Sequence, residues 1–184
     1  MMPPRLHWEK NGSGAARGCR NFACVAFGTG IGSCLVLNGQ PLEGVHHRAG
    51  EIGYWDYGGP SGCWEQRNSA QALMEAARVR TGISSLDGIE FFRRLAAGDP
   101  VCRSLFEDWA AQVGRVFANM ALLLDMERIV VGGGISAQGE ALTAPLQISM
   151  DACLPPDFRC GCRVVPARTG NHAALLGAAS LLMR

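Results

Sequence analysis

Excess charge of either sign is what this sequence has least of. Seventeen lysines and arginines stand against 16 acidic residues, a formal net charge of +1. No basic face for nucleic acid or an anionic membrane is therefore expected. Long apolar runs are missing as well, since none approaches the roughly 18 residues of a membrane-spanning helix. The first residues show no leader pattern of basic, apolar and small-residue regions, which makes a cytoplasmic protein the default expectation. Cysteines are present but do not pair in a metal-like spacing. The eight are Cys19, Cys24, Cys34, Cys63, Cys102, Cys153, Cys160 and Cys162. No Cys-x-x-Cys occurs, and several lie in apolar runs where a thiol behaves as a small hydrophobe. They read as reduced thiols rather than a disulfide frame.

What is present is apolar bulk and glycine. Hydrophobic residues make up 48% of 184, enough for a core of one ordinary domain or of one lobe of a larger protein. The chain is organised around Phe27-Gly28-Thr29-Gly30-Ile31-Gly32-Ser33, a glycine-rich turn between two β-prone runs. Glycines at alternate positions leave backbone N–H groups uncovered, so such a turn can approach a phosphate closely. Thr29 adds a hydroxyl. The turn lacks the Gly-Lys-Ser/Thr of a P-loop, and a strand rather than a dinucleotide-binding helix follows it. On its own it reads equally as a phosphate cradle or as a tight hairpin that holds no ligand. Asn38-Gly39 predicts a second tight turn, with a returning strand over residues 40–45.

Ser69 is expected to cap a helix through Gln71 and Arg78, which Thr81-Gly82 ends. Asp87 and Glu90 form a capping-box-like start to a short helix with Ile89, Phe92 and Leu95 on one face. Asp99-Pro100 opens the longest helix, whose stripe runs Leu105, Trp109, Val113, Val116, Phe117, Met120, Leu124. Arg128 to Val131 predicts a buried strand. Gly132-Gly133-Gly134-Ile135-Ser136 follows it, with Ser136 expected to cap a helix beginning near Ala137. A strand that runs into glycines and a helix N-terminus suits a nucleotide or phosphate, or is simply a tight strand-to-helix turn. A last strand over 162–167 and a final helix over 172–183 complete an α/β arrangement with a mixed sheet and flanking helices. The two glycine turns are expected at one sheet edge, enclosing one nucleotide.

In order along the chain, Gly28-Thr29-Gly30-Ile31-Gly32, Ala49-Gly50-Glu51-Ile52-Gly53, Gly62-Cys63-x-Glu65, Ile129-Val130-Val131-Gly132-Gly133-Gly134-Ile135-Ser136 and Ala174-Leu175-Leu176-Gly177-Ala178-Ala179 resemble the ROK family of sugar kinases and repressors. The resemblance implies an actin-like, hexokinase-like (ribonuclease H-like) ATPase lobe. It implies that Gly28, Thr29, Gly30 and Gly32 bind phosphate and that Glu51 and Glu65 bind sugar hydroxyls. Gly132, Gly133, Gly134 and Ser136 would lie by the nucleotide. Without the family, Glu51 and Glu65 would read as a loop salt bridge or solvated charges. ATP with Mg²⁺, a hexose or N-acetylhexosamine, and a homodimer are the implied ligands and assembly.

Two departures are visible. The family's Asp-x-Gly-Gly-Thr phosphate loop and its Asn-Asp-x-Asn-like stretch, whose Asp is the base, have no counterpart here. Residues 1–20 are thus expected to be a linker remnant from an absent first lobe, and 21–184 the second, sugar-binding and dimerisation lobe. No catalytic residue is then expected in this chain. The expected function is a partial ATP-dependent sugar kinase, glucokinase-like, active in the complete protein. The alternative is a non-catalytic sugar-binding or regulatory module, or an inactive truncated chain. The family's zinc pattern is also altered: its histidine is Tyr54, two of its cysteine positions are Asp56 and Gly58, and Cys63 alone persists. A structural zinc takes four Cys or His ligands, so none is expected.

Overall fold

The computed structural model describes residues 14–59, 62–159 and 161–167. The helix expected at 172–183 and the motif at 174–179 lie outside them. Among the described residues five strands form one mixed sheet in the order β3-β2-β1-β4-β5. These are β1 (Phe22–Phe27), β2 (Ile31–Leu37), β3 (Gln40–Pro41), β4 (Arg128–Gly132) and β5 (Arg163–Pro166). β1 runs antiparallel to β2 and parallel to β4, and β4 is parallel to β5. The expected α/β class is what folds.

Period-two alternation builds the centre. Ala23, Val25 and Phe27 of β1 join Ile129 and Val131 of β4 in the main core, while Phe22, Cys24 and Val130 enter a smaller cluster on the other face. Strands apolar on both faces are what a covered parallel pair requires. The helices are α1 (Trp64–Asn68), α2 (Ala70–Thr81), α3 (Gly88–Ala96), α4 (Pro100–Leu124) and α5 (Glu140–Ala152), of which α2, α3 and α4 follow the expected punctuation. Ser69 Oγ accepts from Ala72 N, Asp87 from Glu90 N, and Asp99 from Val101 and Cys102 N. Asn38 and Gly39 both take positive φ, +54° and +75°, the geometry of a primed hairpin turn.

On α4, Leu105, Trp109, Val113, Phe117 and Met120 are buried as the stripe predicts. Burying each such side chain contributes about 1.5–3 kcal/mol. Trp109 also donates its indole N–H to Asn68 O at 2.8 Å. Gly114 lets α4 and α5 touch, because a Cβ there would lie 2.5 Å from Ser149 Cβ. No helix among the described residues is long and apolar enough to cross a membrane.

Three local expectations fail. β3 ends at Pro41 rather than Val45, since Pro41 cannot donate to a ladder and Gly44 turns the chain at φ +68°. In α3 Ile89 is 80% exposed and Phe91 fully buried. Phe91 and Phe92 meet edge-on at 5.3 Å, and Phe92 meets Phe106 of α4 at 5.7 Å, so aromatic packing selects a face that excludes Ile89. Ser136 does not cap a helix at Ala137. It lies inside a 3-10 turn, Gly134–Gln138, and α5 begins at Glu140 after Gly139.

Candidate functional site

The parallel pairing of β1 and β4 brings both glycine turns to one end of the sheet, each directly after its strand's C-terminal end. At that end Ala26 pairs with Gly32 of β2 on one side and Gly132 of β4 on the other. These three residues contribute a single methyl group between them.

The first turn is closed by Gly28 N donating to Gly30 O at 2.9 Å. Gly28 and Thr29 are exposed, and a Cβ added at Gly28 would meet nothing within 4 Å. The N-terminal turn of α2 abuts it, with Gln71 N donating to Gly28 O at 3.2 Å. A helix N-terminus carries partial positive charge, so this turn sits in a field that favours anions. Gly30 differs from Gly28, because a Cβ there would lie 2.4 Å from Glu65 Oε2.

Glu65, on α1, is half-buried and accepts from Ile31 N through Oε2 at 2.7 Å. One oxygen is thus fixed by the strand that follows the first glycine turn, and Oε1 is left to accept. α1 is itself set by Gln66, whose Oε1 accepts from Cys63 N at 3.0 Å. Trp64, beside Glu65, is 3% exposed and packs edge-on against Phe27 at 6.0 Å. The turn bearing Glu51 runs along the same strand. Ser33 Oγ donates to Gly50 O, and a Cβ at Gly53 would lie 2.8 Å from Ile31 O and 3.3 Å from Glu65 Oε2. Glu51 itself is exposed, ahead of the 3-10 turn Ile52–Tyr54. β2 therefore gathers Gly30, Glu65 and the Glu51 turn.

The second glycine turn closes against the first. Gly133 has φ +86° and ψ 177°, a region essentially reserved for glycine. A Cβ there would lie 2.1 Å from Phe27 O. Ser136 is 4% exposed and donates from Oγ to Gly133 O at 2.7 Å. Its hydroxyl is spent on holding the turn, while Gly134 is exposed.

The residues at the altered zinc pattern do other work. Tyr54 is 58% exposed. Asp56 Oδ2 pairs with Arg67 Nη2 at 2.6 Å, and Cys63 is the buried N-cap of α1. Among the described residues no three His, Cys, Asp or Glu side chains converge as a metal set. One thiol and a carboxylate already bound to a guanidinium do not fit a four-ligand zinc site.

Sequence reasoning missed what orients these groups. The Ile31 N–H on Glu65 and the α2 terminus at Gly28 join positions 34 and 43 residues apart. Neither leaves a local signal, although the Ser69 cap marks where α2 starts.

A family model described as ROK family matches residues 6–184. A glucokinase of Streptomyces coelicolor is 30% identical over 199 residues, covering 95% of this chain and 63% of that protein. An N-acetylmannosamine kinase of Vibrio vulnificus is 32% identical over 169 residues, covering 87% of this chain and 55% of that one. Among solved structures, a ROK family glucokinase from Streptomyces griseus in complex with glucose and AMPPNP matches with a TM-score of 0.82 at 27% identity, covering 91% of this chain and 62% of that one. The chain thus spans 55–63% of the length of these three proteins.

Proposed function

The chain belongs to the ROK family, and from that premise we propose that it forms the sugar- and phosphate-contacting lobe of an ATP-dependent sugar kinase. The complete protein moves a phosphoryl group from ATP to a hydroxyl of a hexose or N-acetylhexosamine. The observation that carries this is the convergence on β2 of Gly30, Glu65 and the Glu51 turn. The turn of Gly28, Thr29, Gly30 and Gly32 would bring its backbone against the ATP phosphates, with the Gly28 N–H kept on Gly30 O to hold its shape. Glu51 and Oε1 of Glu65 would accept from sugar hydroxyls and so fix the ring's orientation. Gly132, Gly133 and Gly134 would border the nucleotide, with Ser136 acting through the shape of the turn.

In the reaction the sugar oxygen bonds to the γ-phosphorus as the bond to the bridging oxygen breaks and ADP leaves. The hydroxyl proton passes to a carboxylate supplied by the other lobe. Mg²⁺, when bound with the phosphates, would supply neutralisation of the developing charge, and positioning would supply most of the rest. The similarity to a glucokinase of known structure bound to glucose and AMPPNP supports the ligand pair, as do the sugar-kinase names of the two sequence relatives.

Binding and turnover are tested together on the purified chain. Saturation-transfer NMR with glucose and with N-acetylmannosamine should show contact to one of them. Glu51→Gln should weaken it at least about tenfold, the scale of a lost charged hydrogen bond. A coupled assay of ADP release should show no turnover by this chain alone. ADP release above a Glu51→Ala control would place the proton acceptor within these residues. If neither sugar binds, the sugar-site assignment is wrong.

A further inference from the structure

Two of the cysteines stand face to face. In the antiparallel pairing of β1 with β2, Cys24 lies directly opposite Cys34. No other two cysteines among the described residues are partners in the sheet. Residues opposite one another in such a pair point to the same side, with Cα atoms about 4.5–5.5 Å apart. A disulfide spans Cα separations of about 4.4–6.8 Å. The register alone therefore puts these two thiols within bridging range, with no shift of either strand.

The surroundings suit a bridge. Cys24 belongs to the smaller apolar cluster with Phe22, Val36 and Val130, and Cys34 packs against that cluster. Two thiols and a disulfide are alike uncharged, so closing the bridge there buries no new charge. Access is unequal. Cys24 is 1% exposed and Cys34 half-buried, so an oxidant from solvent meets Cys34 first. Burial pushes the Cys34 thiol up, which keeps its thiolate scarce near neutrality and its oxidation slow. The strands it would join carry the first glycine turn at one end. Ser33, next to Cys34, ties the Glu51 turn through Gly50 O.

We propose that Cys24 and Cys34 form a redox site, in which an oxidant of the peroxide class closes a cross-strand disulfide that staples the β1–β2 hairpin beneath the glycine turn. The Cys34 thiolate attacks one peroxide oxygen and the O–O bond breaks. The departing hydroxide takes up the thiol's proton as water, and Cys34 is left as a sulfenic acid. The Cys24 sulfur then attacks the Cys34 sulfur. The S–O bond breaks, and the hydroxyl leaves as a second water with the Cys24 proton. The two thiols lose two electrons and two protons, and hydrogen peroxide is reduced to two waters. The inference needs only the strand register and stands apart from the sugar-site assignment.

Peptide mapping of the purified chain after prolonged treatment with hydrogen peroxide tests this. Trypsin cuts after Arg20 and Arg48, so one peptide, Asn21–Arg48, holds both cysteines and no Met or Trp. Its mass should fall by two hydrogens. Chymotryptic cleavage after Phe27 should leave two pieces joined until dithiothreitol is added. Closing a loop of this length should raise the melting temperature by roughly 5–10 °C, reversibly with dithiothreitol. Cys34→Ala should abolish both changes, while Cys153→Ala, at an exposed thiol, should keep both. The proposal is overturned if Asn21–Arg48 keeps its mass while Cys153 is fully oxidised, or if it gains oxygens instead. Linkage to the peptide Gly18–Arg20, which carries Cys19, overturns it too, as does a melting-temperature rise that survives Cys34→Ala. The mass reading is made on the unaltered chain, so it decides the matter even where a variant fails to fold.

Discussion

Two turns in this molecule carry the same signature and obey different physics. Each is a strand end followed by clustered glycines, and the strands are parallel neighbours. At Gly28 the missing side chain leaves open space, so glycine there serves whatever approaches from outside. At Gly133 a Cβ would lie 2.1 Å from the carbonyl oxygen of Phe27, so glycine there serves the protein's own packing. Gly30 stands between the two cases, with Glu65 as the neighbour it admits. A glycine count does not separate these roles, because both demand the same residue.

Substitution should split them. Gly133→Ala is expected to have the largest effect, because it combines a forbidden backbone region with a backbone clash. A loss of about 3 kcal/mol or more in urea unfolding is expected. That corresponds to a fall in melting temperature of roughly 6–12 °C for a chain of this size. An unchanged Tm would mean that the two turns do not touch as described. Gly30→Ala comes next, at about 1–3 kcal/mol for an overpacked site. Its sharper readout is sugar binding, which should fall as Glu65 is pushed off Ile31 N. Gly28→Ala should hold within about 0.5 kcal/mol and lose ATP affinity instead; a stability loss as large as that of Gly133→Ala would erase the contrast.

Ser136→Ala should cost about 1 kcal/mol, the worth of one hydrogen bond. It should leave the spectrum of nucleotide contacts in NMR otherwise unaltered. A selective loss of ATP binding at full stability would restore a direct contact for that hydroxyl. The smallest effect is expected at the far end of the strands. Glu127 accepts from Arg20 N and Asn21 N at 2.7 and 2.9 Å. The backbone N–H of Asn21, with that of Arg20, holds its carboxyl below the usual range. Because the folded state binds the proton less readily, this contribution is present above the ordinary carboxylate pKa. It is lost as pH falls through the lowered folded value. Glu127→Gln should therefore lower stability slightly near neutrality and change little at low pH, which flattens the acid side of the stability–pH curve.

How much of this was legible in the sequence divides along the same line. Punctuation was legible, because caps and turns act within a few residues. Asn38-Gly39, Ser69, Asp87 and Asp99-Pro100 each did locally what their chemistry dictates. The α4 stripe was legible because 25 residues average out single exceptions. Ile89 was misjudged because nine residues offer several apolar faces, and Phe106 on another helix makes the choice. Ser136 was misjudged because Gly139, at φ +58° and ψ −130°, defers the helix start. Of the site, the glycine turns were visible as turns. Glu51 and Glu65 were singled out by family resemblance alone, since no spacing rule joins a carboxylate to an amide 34 residues away.

The order of strands has a consequence in time as well as in space. β1 and β2 pair across a three-residue turn, and a hairpin of that kind closes within about 1–10 μs. β4 lies a hundred residues further on and pairs with β1 directly, a separation that slows folding through the entropy of closing the intervening loop. The first turn thus takes shape early and the seam between Phe27 and Gly133 late. On a ribosome the seam waits until the segment after β4 has emerged. Core truncations in β1 and β2 should therefore slow refolding, and Gly133→Ala should mainly speed unfolding, when the arms of a chevron plot are compared.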